Sequence, residues 1–110
     1  MKQRKIKFVC NAVRWFDRLK GNIYHSVRIT RVKDGLTIAS GFKYGYEEAY
    51  KQTALDLMLK NNWLPKKYGE KEDNRYASVK LYLYERENSY PIIWNVSEGL
   101  KRACLKNGVV

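Results

Sequence analysis

Few residue types able to do covalent or proton-transfer chemistry occur in this chain. His25 is the only histidine among the 110 residues, so a histidine-rich metal site is out of reach and any catalytic triad would have to form around this one ring. It falls on a strand near a hairpin end, where a hydrogen-bonded structural histidine is the expectation. Glu70, Glu72 and Asp73 are close enough in sequence to hold Mg²⁺ for nuclease work. They lie in a charged, loop-like run, however, and a metal site needs fixed ligands. Cys10 and Cys104 stand far apart without a CxxC or Cys/His pattern. None of the seven glycines falls into the GxGxxG or GxxxxGK spacing that cradles phosphates. A non-enzyme follows, with no catalytic residue, no metal ligand and no cofactor expected.

Recognition chemistry is better supplied. Lysine and arginine number 22 against 11 acidic residues, for a net charge of +11. Self-repulsion on that scale works against folding, and a polyanionic partner explains it. The charge is concentrated: residues 1–33 hold ten basic residues and one acidic, Asp17. Aromatic residues interleave with these cations in the strand-like segments. The candidate nucleic-acid-binding set is Arg4, Lys5, Lys7, Trp15, Tyr24, Arg28 and Lys43, with Thr30 beside them and Lys80 and Tyr82 extending the surface. Flat rings offer stacking faces to bases while Lys and Arg neutralise phosphates, a combination suited to single-stranded or looped RNA or DNA. The competing reading is that the same rings pack under a helix or in a homodimer contact.

The elements that must position these residues follow from periodicity. Apolar residues alternate from Ile6 to Phe16 (Ile6, Phe8, Cys10, Ala12, Phe16) and again from Ile23 to Lys33, which predicts two strands joined by a turn over 17–22. Asp34-Gly35 predicts a two-residue type I′ turn into a third strand, Leu36–Tyr44. That turn sets Lys33 opposite Leu36 and Val27 opposite Phe42. The first hairpin pairs Phe16 with Ile23, Ala12 with Val27 and Cys10 with Ile29. One face then gathers the apolar side chains, Phe42 among them, and the other gathers Trp15, Tyr24, Arg28 and Lys43.

Beyond Gly45 the spacing predicts a helix over 46–62, ended by Pro65, and a polar loop over 65–75. Alternation over 76–85 predicts a fourth strand. Pro91 to Trp94 suits a short edge strand, where proline is tolerated. Residues 97–107 predict a last helix closed by Gly108. The expected architecture is one α+β domain over residues 1–110, β-β-β-α-β-α, with an antiparallel sheet of four or more strands and two helices mainly on one face. With two separated cysteines, no apolar run of membrane-spanning length and no apolar stretch after Met1-Lys2-Gln3-Arg4-Lys5, a soluble cytoplasmic protein without a membrane partner is expected.

Trp15-Phe16-Asp17, Gly21-Asn22-Ile23-Tyr24-His25-Ser26-Val27-Arg28, Phe42-Lys43-Tyr44-Gly45-Tyr46 and Gln52-Thr53-Ala54 together resemble a group of small bacteriophage proteins that carry no assigned activity. The resemblance covers about the first two thirds of the chain, and Tyr90-Pro91-Ile92 is similar as well. It implies a phage or mobile-element origin and an accessory role in the host bacterial cytoplasm. It also implies a second class of function: an inhibitor of a host defence complex, such as a CRISPR effector, acting by protein–protein contact with a host protein or ribonucleoprotein.

Overall fold

A computed structural model of the chain describes residues 6–70, 72–88 and 90–109. The first two strands form where alternation places them. β1 (Phe8–Asp17) and β2 (Asn22–Arg31) pair antiparallel with Cys10 opposite Ile29, Ala12 opposite Val27 and Phe16 opposite Ile23. Asp17 closes the hairpin, accepting the Gly21 amide on its carbonyl at 2.7 Å and the Leu19 amide on its carboxylate at 3.1 Å.

The second hairpin is longer than Asp34-Gly35 alone implies. Arg31 donates its amide to the Leu36 carbonyl and accepts that of Gly35, both at 2.8 Å, so Val32 to Gly35 make the loop. The Asp34 carboxylate explains this choice. It binds the Arg31 guanidinium (3.1 and 2.6 Å) and the Leu36 amide (3.2 Å), interactions that a two-residue loop does not offer. Gly35, at φ 72°, occupies the left-handed region open to glycine. β3 (Thr37–Tyr44) therefore pairs Thr37 with Thr30 and Ile38 with Ile29. The slip is two residues, an even number, so faces are conserved up to Ser40 opposite Val27. A bulge then inserts one residue: Val27 to His25 spans two steps while Ser40 to Lys43 spans three. Beyond it Lys43 lies opposite His25 and Tyr44 opposite Tyr24. Phe42 and Lys43 thus exchange the faces expected of them.

α1 (Ala49–Lys60) begins after a turn in which Glu47 has φ 53°, three residues later than its apolar spacing suggests. A 3₁₀ turn (Lys66–Gly69) leads to α2 (Ala77–Asn88). This helix replaces the fourth strand expected over 76–85. Both periods fit that stretch; the tyrosines decide between them. Alternation treats Tyr84 as an outward polar residue, yet its ring is 2% exposed, together with Ala77 and Leu81 at helical spacing. It packs 6.2 Å from Phe8 and 5.6 Å from Tyr68.

The fourth strand is instead the edge segment at Pro91. β4 (Ile92–Glu98) runs parallel to β1 from Phe8 opposite Ile92 to Arg14 opposite Glu98. The sheet is mixed, with order β3-β2-β1-β4, because α1 and α2 carry the chain from β3 to the far edge and return it in the same direction. Continuation of β4 to Glu98 delays the last helix, α3, to Lys101–Asn107.

The core lies between the sheet and the α1/α2 layer. Phe8, Cys10, Ala12, Val27 and Ile29 meet Tyr50, Ala54, Leu55, Met58, Leu81 and Tyr84, and Phe8 stacks on Trp63 at 5.6 Å. Ile6, Phe16 and Leu36, expected in this set, are 42%, 53% and 54% exposed: Ile6 and Leu36 precede β1 and β3, and Phe16 is next to the end of β1. α3 packs on the opposite face, where Cys104 is buried and donates to the Val13 carbonyl.

Candidate nucleic-acid interface

The face of the sheet opposite α1 carries an aromatic cluster built from adjacent strands. Trp15 on β1 stacks on Tyr24 of β2 at 5.6 Å, and Tyr24 stacks on Phe42 of β3 at 4.7 Å with 8° between planes. Tyr44 meets Tyr24 edge-on at 5.8 Å, and Tyr46 meets Tyr44 at 5.5 Å. The Tyr46 hydroxyl donates to the Gly21 carbonyl, tying this end of the cluster to the first hairpin. Trp15, Tyr24 and Phe42 are half-buried; Tyr44 and Tyr46 are 57% and 49% exposed. The neighbouring Tyr46 hydroxyl also holds the Tyr44 phenol above the usual range.

The bulge in β3 is what assembles this surface. Without it Phe42 would stay on the core side and Lys43 would take its place. Gly41 stands at the bulge because the end of α3 crosses here: a Cβ on Gly41 would lie 3.2 Å from the Gly108 Cα. Lys101, the first residue of α3, sets its ammonium 5.5 Å from the Trp15 ring centre and 5.9 Å from that of Phe42, a cation–π geometry. An open groove continues past Trp15, lined by Arg14, Arg18, Leu19, Glu98 and Leu100.

Of the residues expected to bind nucleic acid, Trp15 and Tyr24 lie in this cluster. Arg28 is on the same face with a different task. Its guanidinium donates to the carbonyls that end α3, Asn107 at 3.3 Å, Lys106 at 3.5 Å and Val109. Helix ends leave such acceptors open and favour a cation beside them. Asn107 completes the clamp, its amide donating to Asn11 O, Ser26 O and Ser26 Oγ at 3.1–3.3 Å. Thr30 pairs its hydroxyl with that of Thr37 at 3.0 Å.

Lys43 is on the other face, opposite His25. Lys80 and Tyr82 belong to α2, beneath the sheet, and do not extend the aromatic face. Lys7 precedes β1 and places its ammonium over the Tyr90 and Phe8 rings, at 5.3 and 5.7 Å. Arg4 and Lys5 lie outside the described residues. Phe42, Tyr44, Tyr46 and Lys101 were not in the expected set. The Tyr44-Gly45-Tyr46 run was the one sequence signal for them, since Phe42 needs the bulge and Lys101 the docking of α3.

The chemistry-bearing residues are held in structural roles. His25 is 2% exposed and its Nε2 lies 2.6 Å from the Thr53 hydroxyl of α1. Burial lowers its pKa, and the charges of Lys43 and Arg14 lower it further. Asp73 is bridged by Arg75 at 2.7 Å. Cys10 is fully buried and its thiol is pushed up to about 12 by burial. Among the described residues, no three His, Cys, Asp or Glu side chains gather where they could share a metal ion, and no helix is long and apolar enough to cross a membrane. Comparison with protein families, with curated proteins and with solved structures returns no match to this chain.

Proposed function

We propose that this chain is a non-enzymatic accessory protein of phage or mobile-element origin that binds single-stranded or looped nucleic acid through the aromatic face of its sheet. The observation that carries the reading is the contiguous cluster of Trp15, Tyr24, Phe42, Tyr44 and Tyr46, with the Lys101 ammonium over Trp15 and Phe42, on a chain of net charge +11. Exposed tyrosines supply stacking faces. Lys101, with Arg18 and Lys20 at the adjoining hairpin, supplies the cations that counter phosphates. A duplex hides its base faces, so unpaired bases are the better substrate for this surface.

Titration of labelled single-stranded and duplex oligonucleotides of one sequence tests the reading. Binding should weaken as salt rises and favour the single strand. Equal affinity for both forms would leave charge alone as the cause and remove the aromatic face from the account.

A second reading rests on the groove beside Trp15. Leu19, Leu100 and Phe16 are 97%, 64% and 53% exposed there, an apolar group of the kind that contacts proteins. It supports inhibition of a host defence complex by protein–protein contact. Pull-down from host lysate with and without nuclease separates the two: a stoichiometric protein partner that survives digestion favours the inhibitor, and loss of all partners favours the nucleic-acid binder.

A further inference from the structure

We propose that two copies of the chain pair through the outer edges of β4, antiparallel about a twofold axis at Asn95, to extend the sheet across a dimer. This inference stands apart from nucleic-acid binding and uses a different surface.

Folded proteins guard open sheet edges with lysine, proline, bulges or a covering element. The β3 edge is guarded: it carries the bulge, Lys43 and, at Gly41, the close passage of Gly108. The β4 edge is not. Its pairing with β1 runs without a shift over its whole length, from Ile92 to Glu98. Asn95 to Glu98 are all exposed, and Ile93 and Val96 stand 37% and 42% exposed. Among the described residues no strand pairs with this edge.

Charge selects the occupant. β1, β2 and β3 carry Arg14, Arg28, Arg31 and Lys43, whereas Ile92–Glu98 contains no basic residue and one acidic one, Glu98. A polyanion gains nothing from that strip. A second copy, itself at +11, approaches best where a strand carries no cation of its own, and β4 is the one strand that meets this condition; Lys51, which reaches Trp94 from α1, is paired with Glu48 at 3.3 Å. Antiparallel strand edges are also self-complementary under twofold rotation. Since, among the described residues, the β3 edge is guarded and the β4 edge is open, pairing closes at two copies instead of growing into a fibre.

Side chains choose the register. A twofold normal to the sheet keeps faces matched, so the axis passes through one residue. An axis at Trp94 would bring together two Lys51 ammonium groups, each held 5.6 Å over its own Trp94 ring. An axis at Asn95 instead sets Trp94 against the partner's Val96, an aromatic with β-branched pair that favours strand association. The Asn95 amide donates to Asn11 Oδ1 at 3.0 Å, which leaves a second N–H and the amide oxygen for the reciprocal pair with the partner's Asn95. One seven-residue strand pair falls short of the ~1,200 Å² typical of stable interfaces, so the dimer is weak and concentration-dependent.

Sedimentation equilibrium of the nuclease-treated full chain, over a range of protein concentrations, tests this. The dimer fraction should rise with concentration. It should also rise between about 0.1 M and about 1 M salt, because the screening length falls from ~10 Å to ~3 Å and relieves the repulsion, the reverse of the salt effect on nucleic-acid binding. Val96→Lys and Ile93→Lys, each checked for folding by circular dichroism, should stay monomeric at concentrations where the parent dimerises. Leu105→Lys on α3 should dimerise like the parent. A parent that remains monomeric at every concentration and salt, or a dimer that survives in both strand variants, overturns the proposal.

Discussion

Arg28 separates a cation that holds nucleic acid from one that holds the fold, and Arg28→Ala makes the distinction measurable. The side chain is half-buried and donates to the carbonyls of Lys106, Asn107 and Val109. A hydrogen bond from a charged donor contributes about 1.5–3 kcal/mol when shielded, and a cation at a helix end about 0.3–1 kcal/mol. Two of the contacts are exposed and one of those is stretched to 3.5 Å, so their sum is well below three full bonds. A loss of about 2 kcal/mol is expected. With an unfolding entropy of about 2.1 cal/mol/K per residue, that lowers the melting temperature of a domain this size by about 9 °C. Hydrogen exchange should locate the loss at α3, with amides of 104–108 exchanging faster while those of β1 and β2 keep their protection relative to the global stability. Arg28→Lys retains the charge without the planar fork. It should fail to restore α3 protection while keeping the salt dependence of any nucleic-acid binding. If Arg28→Ala melts with the parent and α3 exchanges no faster, the tether is not what holds the last helix, and the clamp by Asn107 and Cys104 must suffice.

Three other outcomes follow from the same interactions. His25 has a folded pKa below its unfolded value of about 6.5, so the unfolded chain takes up the proton first; stability is full above that pH and falls as pH drops towards the folded pKa. Denaturant titrations at several pH values should show this slope, and His25→Gln should flatten it. Among the described residues the buried Tyr84 hydroxyl has no hydrogen-bond partner, and its phenol is pushed up to about 12 by burial, so Tyr84→Phe should raise the denaturation midpoint by an amount equivalent to about 1 kcal/mol; a loss of that size would reveal a partner for the hydroxyl. At the proposed interface, Tyr44→Ala should cost roughly 1–3 kcal/mol of single-strand affinity with an unchanged salt slope, while Lys101→Ala should reduce that slope by about 0.7. Identical effects of the two substitutions in a salt titration would show that stacking and phosphate contact are not separate contributions here.

The first hairpin was legible because both of its strands alternate, with Arg14 as the break in the first, and Asp17 to Asn22 hold turn residues, so one register pairs Cys10 with Ile29, Ala12 with Val27 and Phe16 with Ile23. α1 was legible for the same reason, its stripe Tyr50, Thr53, Ala54 and Met58 having nowhere to go but onto the sheet. α2 was not. A stretch in which Tyr82 and Tyr84 flank Leu81 and Leu83 satisfies a period of two and a period of 3.6 alike, and the choice belongs to Phe8 and Tyr68, which receive the Tyr84 ring from distant parts of the chain. β4 was placed at an edge by Pro91, yet its direction depends on a crossover beneath the sheet that leaves no local pattern.

The candidate site divides along the same line. Amino-acid sequence alone determined the charge excess, its concentration in the first third, and the presence of Trp15 and Tyr24 on one face of the first hairpin, because these depend on composition and on the strict two-residue period of a strand. Tertiary structure decided which other rings join them. One extra residue in β3 moves Phe42 onto that face and Lys43 off it. A glycine inside a strand is compatible with a bulge, but the contact that fixes this one is distant: the Gly41 bulge forms where Gly108 of a segment almost 70 residues later comes within 3.2 Å of the space a Cβ would fill. The same docking gives Arg28 the carbonyls at the end of α3 as partners. A side chain's type and strand face are set by its neighbours in sequence; whether its charge remains available is set by what folds back against it.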